Sequence, residues 1–315
     1  MKAEKRKVVI VGTGMVGMSY AYCLLNQSVC DELVLIDVNR ERAEGEAMDL
    51  NHGLAFAGSN MQIYAGEYQD CRDADLVVIC AGVAQQNGES RLNLLKRNAA
   101  VVRSIVEPVT ASGFQGIFLV ATNPVDIMTR ITCDLSGFPS QKVFGSGTAL
   151  DTARLRYLLG DYLKVDPRNI HAYVIGEHGD SEFVPWSQAL LATKPILELA
   201  RETKYHISPA RLMQIEEEVR TAAYKIIEAK KATYSGIGMA LARITKAVLG
   251  DEHSVLTVSV KADGLYGQRD VFTGMPAIIG QTGIQGILPL SLTEEEQDKL
   301  NASCDTLCRS YEGII

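Results

Sequence analysis

The chain has 315 residues and a net charge of −7, long enough for one large or two coupled domains and without the basic stripe that nucleic acid demands. Seven cysteines without a Cys-x-x-Cys pair and five histidines without a His-Glu-x-x-His pattern suit reduced thiols in a cytoplasmic protein with no metal centre. No apolar run reaches membrane-spanning length, and the basic start at Met1–Lys7 leads straight into a strand, so neither a membrane span nor a signal peptide is expected.

Residues 7–11 are a short β-branched run, and Gly12-Thr13-Gly14-Met15-Val16-Gly17 follows at once. An amphipathic stretch to about Asn26 then leads to a second apolar run, Leu33–Ile36, closed by Asp37. Leu76–Cys80 and Gly116–Val120 are further continuous apolar runs. Strands apolar on both faces and separated by helical segments predict a parallel sheet covered by helices on both sides. The glycine pattern Gly12, Gly14, Gly17 gains its force from lying between a strand and a helix. The first glycine allows the turn, the second lets backbone approach a pyrophosphate, and the third lets helix and strand pack closely. The helix amino terminus offers free N–H groups to the phosphates. Asp37, about 20 residues further on, is placed to bond ribose hydroxyls and repel a 2′-phosphate, which favours NAD over NADP. Arg40 and Arg42 close by work against that preference.

The segment Ala81–Arg91 is polar, carries Gly82 and Gly88 near its ends and runs into a helix, the construction of a lid or of an ordinary surface loop. Residues 90–112 read as a long helix with Leu92, Leu95, Ala99, Val102 and Val106 near one face. An Asn123-Pro124-Val125-Asp126 turn follows the next strand. Past Gly147 the pattern changes: a helix over 150–163, a strand over His171–Ile175, and a long helix capped by Ser208 with Pro209 at its first position. A strand over 255–260, a turn at Gly264 and Gly267, a strand over 276–279 and a final helix from Thr293 complete the chain. The expected fold is therefore α/β: a Rossmann-type doubly wound parallel sheet over residues 1–146, followed by an α+β substrate/catalytic domain over 147–315.

Ile175-Gly176-Glu177-His178-Gly179-Asp180-Ser181 closes an apolar run with a histidine between two glycines. Alone this reads as a capped strand with an exposed imidazole. With the phosphate loop, the Asn123–Asp126 turn and Asp151-Thr152-Ala153-Arg154, it reads as a base, a carboxylate to orient it, a substrate anchor and a hydride carrier. Asp151 and Arg154 are three apart on a predicted helix and share a face.

Over essentially its whole length the sequence resembles the lactate/malate dehydrogenase family, and within it the bacterial L-lactate branch activated by fructose 1,6-bisphosphate. The residues that carry the resemblance are Gly12–Gly17, Asp37, the loop ending Gly88-Glu89-Ser90-Arg91, Asn123–Asp126, Asp151–Arg154, Glu177–Ser181 and Thr233. It implies reversible, NADH-dependent reduction of pyruvate to lactate. His178 would be the proton donor and acceptor, with Asp151 holding its ring. Arg154 would grip the substrate carboxylate through paired hydrogen bonds that lysine cannot imitate. Arg91, carried in by the closing loop, would polarise the carbonyl. Asn123 would hold the carbonyl oxygen or the nicotinamide end, Thr233 would line the pocket, and Ile237 would wall the nicotinamide; for the last two, simple packing competes. By the same resemblance Val16, Arg42, Tyr68, Gly82, Val83, Ser104, Ala121, Thr122 and Ser146 would also touch the cofactor.

Relatives acting on malate carry arginine at the position of Gln85, to meet the second carboxylate of oxaloacetate. A neutral side chain there favours pyruvate, because oxaloacetate would bury an unpaired charge. Arg156 points away from the face of Arg154, since two helical positions turn through about 200°. Seven strand residues would place His171 roughly 23 Å from His178. The resemblance implies that Arg156 and His171 bind the phosphates of fructose 1,6-bisphosphate across a subunit interface of a homotetramer. The alternatives are a malate dehydrogenase of the same family, or a non-catalytic NAD-binding scaffold that keeps the fold without the chemistry.

Overall fold

The computed structural model describes residues 5–58, 60–83, 91–201, 207–312 and 314. The first half alternates strands and helices: β1 (Lys7–Val11), α1 (Met15–Gln27), β2 (Glu32–Ile36), α2 (Arg40–Gly53), β3 (Gln62–Ala65), β4 (Leu76–Ile79), α3 (Arg91–Ala111), β5 (Ile117–Val120), α4 (Val125–Ser136) and β6 (Val143–Gly145). These six strands lie in the order β3-β2-β1-β4-β5-β6, all parallel. Every residue of β1, β4 and β5 is buried, as helices on both faces require. The order reverses between β1 and β4, and at such a switch point a crevice opens beyond the carboxyl ends of the strands. Gly12, Asp37, Ala81, Ala121 and Ser146 each follow the end of one of these strands.

The second half contains α5 (Ala149–Leu163), β7 (Ile170–His171), β8 (Leu190–Leu191), β9 (Lys194–Pro195), α6 (Ile196–Leu199), α7 (Pro209–Lys230), α8 (Ser235–Leu249), β10 (Ser254–Lys261), β11 (Phe272–Gly280), β12 (Gly283–Ile287) and α9 (Glu294–Glu312). β10, β11 and β12 form an antiparallel meander, and β10 pairs with β6 at Ser259 and Gly145. One nine-stranded sheet therefore runs through both halves. The main core follows it, joining Val9 and Leu119 of the parallel strands to Val258, Met275 and Leu300 of the second half. A second core lies beneath α5 and α7, with Leu155, Ile170, Val174, Leu212 and Ile215.

The strand expected over His171–Ile175 is not continuous. β7 ends at His171, and beyond it only isolated bridges form, between Ile175 and Phe183 and between Gly176 and Gly274. The reason is local: the carbonyl of Val174 accepts from the Thr148 hydroxyl at 2.6 Å, and its N–H donates to Thr152 Oγ1 at 2.9 Å. Side chains of Thr152 in α5 and of Thr148 just before it thus satisfy backbone groups that a neighbouring strand would otherwise have to meet. Among the described residues no helix is long and apolar enough to cross a membrane, and all seven cysteines are free thiols.

Candidate active site

α5 supplies the centre of the site. Asp151, in its first turn and 1% exposed, spends its two oxygens on two partners. Oδ2 lies 2.7 Å from Nδ1 of His178, and Oδ1 accepts from Nη1 of Arg154 at 2.7 Å. The three-residue spacing of Asp151 and Arg154 makes the second contact, as the helix predicts. His178 reaches the site from a turn, and its Nε2 is the nitrogen left to face a substrate; the side chain is 25% exposed. Burial by itself would lower the His178 pKa, but the charge and hydrogen bond of Asp151 outweigh it and push the value to about 9. Asp151 is correspondingly held below the ordinary carboxylate range: burial opposes ionisation, and the charge and hydrogen bond of His178, with Arg154, prevail. Glu182 lies 4.0 Å from Nδ1 of His178 and is 5% exposed. Burial, then the charge of Asp151, raises its pKa. Donor atoms of Asp151, His178 and Glu182 all fall within 4.8 Å of one another. A cation there would have to break the hydrogen bond between Asp151 Oδ2 and His178 Nδ1, so the set suits proton transfer better.

The dinucleotide loop has the geometry its glycines foretell. Gly12 has φ of 103°, and a Cβ on it would stand 2.5 Å from the Ala81 nitrogen. A Cβ on Gly17 would stand 2.0 Å from the Gly12 carbonyl oxygen. At Gly14, by contrast, an added Cβ meets nothing within 4 Å. The outer two glycines are closed by packing and the middle one faces open space, the cradle a pyrophosphate requires. Asp37 receives the N–H of Thr13 at 2.7 Å, its hydroxyl at 2.9 Å and the N–H of Asn39 at 2.9 Å. Burial works to raise the Asp37 pKa, but these bonds, with the charge of Arg42, hold it down. The residues present fit a dinucleotide with a free ribose 2′-hydroxyl.

Residues 6–145 match the family model described as the lactate/malate dehydrogenase NAD binding domain, and residues 148–314 match its alpha/beta C-terminal domain. The chain belongs to the lactate/malate dehydrogenase family. It is 54% identical to the L-lactate dehydrogenase of Geobacillus stearothermophilus over 301 residues, which are 96% of this chain and 95% of the relative. Its structure superposes with a TM-score of 0.97 on a lactate dehydrogenase enzyme from a Medee basin deep-sea metagenome library, at 50% identity over 99% of each chain. The minor L-lactate dehydrogenase from Enterococcus mundtii, in its ligands-bound form, gives 0.96 at 48% identity over 98% of each chain.

Most residues expected at the family's cofactor site line the carboxyl ends of the parallel strands. Val16 is in the first turn of α1, Gly82 and Val83 follow β4, Ala121, Thr122 and Asn123 follow β5, and Ser146 follows β6. Arg42 is in the first turn of α2, and half-buried Tyr68 sits beyond β3 with its pKa raised, first by burial and also by the nearby Asp37 charge. Ile237 is brought in by α8, which packs against α1 closely enough that a Cβ on Gly238 would meet Ser19 Oγ at 2.6 Å. Thr233 is half-buried in the connection between α7 and α8. Ser104 stands on an exposed face of α3, its hydroxyl turned back to the Val101 carbonyl at 2.7 Å. Gln85 lies outside the described residues; Arg91 opens α3, but its side chain lies outside them too. Arg156 is apart from the catalytic group: its Nε donates to the Ala172 carbonyl at 3.1 Å, one residue from the exposed His171. Sequence reasoning missed Asn98 of α3, 3% exposed, which accepts the Val83 N–H at 2.8 Å and donates to the Asn123 carbonyl at 3.1 Å. The available signal was its position on the apolar stripe, three residues after Leu95 and four before Val102.

Proposed function

We propose that the protein is an NAD-dependent L-lactate dehydrogenase, interconverting pyruvate and L-lactate, with residues 1–146 binding the cofactor and 147–315 supplying the substrate site. The observation that carries this reading is Asp151, one buried carboxylate joined at once to an imidazole and a guanidinium. NADH, bound at the glycine loop and Asp37, supplies the hydride. His178 holds a proton at Nε2 and gives it to the substrate oxygen as negative charge develops there. Arg154 binds the substrate carboxylate and thereby sets the keto carbon in front of His178. Arg91 adds positive charge at the carbonyl, and the loop that precedes it excludes water. Asn123 orients the carbonyl or the carboxamide, and Thr233 and Ile237 close the walls. Gln85 meets the substrate methyl group. Arg156 and His171 bind fructose 1,6-bisphosphate between subunits of a homotetramer.

Loss of NADH absorbance tests the reading. Pyruvate is expected to be reduced with a kcat/KM roughly a hundredfold or more above that for oxaloacetate, because Gln85 cannot neutralise a second carboxylate. Gln85→Arg should narrow or reverse that ratio. A preference for oxaloacetate would point to a malate enzyme, equal use of both acids would remove Gln85 as the selector, and use of neither would point to a non-catalytic scaffold.

A further inference from the structure

Arg40 and Arg42 lie in the first turn of α2, just beyond Asp37. The turn into α2 is tight: the Asn39 N–H donates to Asp37 Oδ1 at 2.9 Å, and the Asn39 side chain accepts the Arg42 N–H at 3.0 Å. Arginine at this place is what a 2′-phosphate calls for, since the guanidinium meets phosphate oxygens with paired N–H groups. Two such cations beside a ribose site built for a free hydroxyl need a reason not to capture NADP.

Arg40 has other partners. Its Nε donates to Glu44 Oε1, one helical turn on, at 2.9 Å, and its Nη1 donates to Glu67 Oε1 at 2.6 Å. Glu67 comes from the turn after β3, and that turn is packed against β2 close to Asp37. The Gly66 N–H donates to the Leu35 carbonyl at 3.0 Å, and a Cβ on Gly66 would stand 2.6 Å from Asp70 Oδ2 and nearer still to Val34 Cγ1. The Glu67 N–H donates in turn to Asp70 Oδ2 at 2.8 Å. Arg42 is engaged differently: its Nε is 3.8 Å from Glu46 Oε1, and its charge acts on Asp37. The two arginines are therefore not equivalent. A single ion pair between exposed side chains such as these is weak and screened by salt. Two carboxylates on different donors of one guanidinium occupy its rigid fork and add negative charge where a 2′-phosphate would have to come.

We propose that Glu44 and Glu67 clasp Arg40 and keep it from a 2′-phosphate, so that selection of NAD over NADP is set by this clasp as well as by Asp37. The inference rests on the adenosine ribose lying at Asp37, as in the function proposed above.

Affinity is read by titrating NADH and NADPH into the protein without pyruvate and following the nicotinamide fluorescence. Asp37→Ser removes the carboxylate that repels a 2′-phosphate but leaves the clasp closed. NADH should bind about tenfold or more weakly to it, and NADPH should gain little. Adding Glu44→Gln and Glu67→Gln frees Arg40. NADPH should then bind about tenfold more tightly than to Asp37→Ser alone, with the NADH Kd within about twofold. Adding Arg40→Ala as well should remove the gain, and high salt should shrink it. With Asp37 in place, the two glutamate changes should give a smaller gain with the same dependence on Arg40. An NADPH Kd that ignores both glutamates in both backgrounds would overturn the proposal. So would a gain that survives Arg40→Ala, because the glutamates would then act by repulsion alone. An NADH Kd unmoved by Asp37→Ser refutes the placing of the ribose, whereas the clasp is judged by how NADPH responds to the glutamates.

Discussion

At His178 the same ring nitrogen faces Asp151 at 2.7 Å and Glu182 at 4.0 Å. Two carboxylates beside one imidazole compete for the charged state, and the winner is the one with further positive partners. Asp151 has Arg154 on its other oxygen, whereas burial and the Asp151 charge drive Glu182 toward its neutral acid. A neutral carboxyl and an amide present similar electrostatics to the ring. Glu182→Gln should accordingly leave the pH midpoint of pyruvate reduction unchanged and kcat within about threefold, whereas Asp151→Asn should cost roughly 10²- to 10⁴-fold in kcat. A large acid shift of the midpoint, or a loss of activity, in Glu182→Gln would mean that Glu182 is ionised. The sign for His178 follows from its raised pKa. The imidazolium prevails at neutral pH, so pyruvate reduction declines as pH rises through about 9 and lactate oxidation gains there. The stability the charged ring contributes is likewise complete below its unfolded value of about 6.5 and is lost as pH rises through about 9.

Elements meet at Asn98, which ties α3 to the chain after β4 and to the chain after β5. The first of these leads into the loop proposed to cover the substrate, and the second carries Asn123. Asn98→Ala takes this partner from a part-buried pair of contacts, the Val83 N–H and the Asn123 carbonyl, at about 0.5–1.5 kcal/mol each. The melting temperature should fall by several degrees, and kcat/KM for pyruvate should fall further than stability alone explains. An unchanged melting temperature would mean that water replaces the side chain. Asn98 escaped notice because a polar residue in an amphipathic helix ordinarily faces solvent. β1, β2, β4 and β5 were legible because strands buried on both faces must be continuously apolar. β3 and β6 were not: Gln62–Ala65 and Val143–Gly145 are short, and pairing with neighbours defines them more than composition does. The motif around His178 was legible as chemistry but misleading as structure. The residues that hold it in place, Thr148, Thr152, Asp126 and Ser303, are distant in sequence and act through single hydroxyls or a carboxylate.

Across the whole molecule, three arginines border one cavity that none of Asp151, Arg154 and His178 lines, with Arg168 paired to Asp166 and Arg243 to Glu252. Arg156 donates to Ala172, its guanidinium carbon 5.2 Å from the Tyr173 ring centre, and with Arg168 and Arg243 it borders a cavity of about 350 Å³ that Met239 and Leu150 also line. Burial lowers the Arg156 pKa, a measure of how poorly water compensates the cation there. Tyr22 on α1, Tyr157 on α5 and Met239 on α8 are exposed apolar side chains of the kind a subunit interface covers. Bringing a second copy of this surface nearby would set one Arg156 cation against another, and a sugar bisphosphate, with a charge of about −1.5 to −2 on each phosphate, bound between them would relieve the repulsion. Ligand binding and assembly are then linked, each strengthening the other by the same factor. Fructose 1,6-bisphosphate is expected to raise the tetramer fraction in sedimentation velocity and to lower the pyruvate KM at least about fivefold in low-phosphate buffer, the lower end of ordinary coupling. Replacing Arg156 and His171 together by alanine should abolish both responses. Retention of either response in that variant would place the regulator elsewhere, and no response in the wild type would leave assembly independent of it.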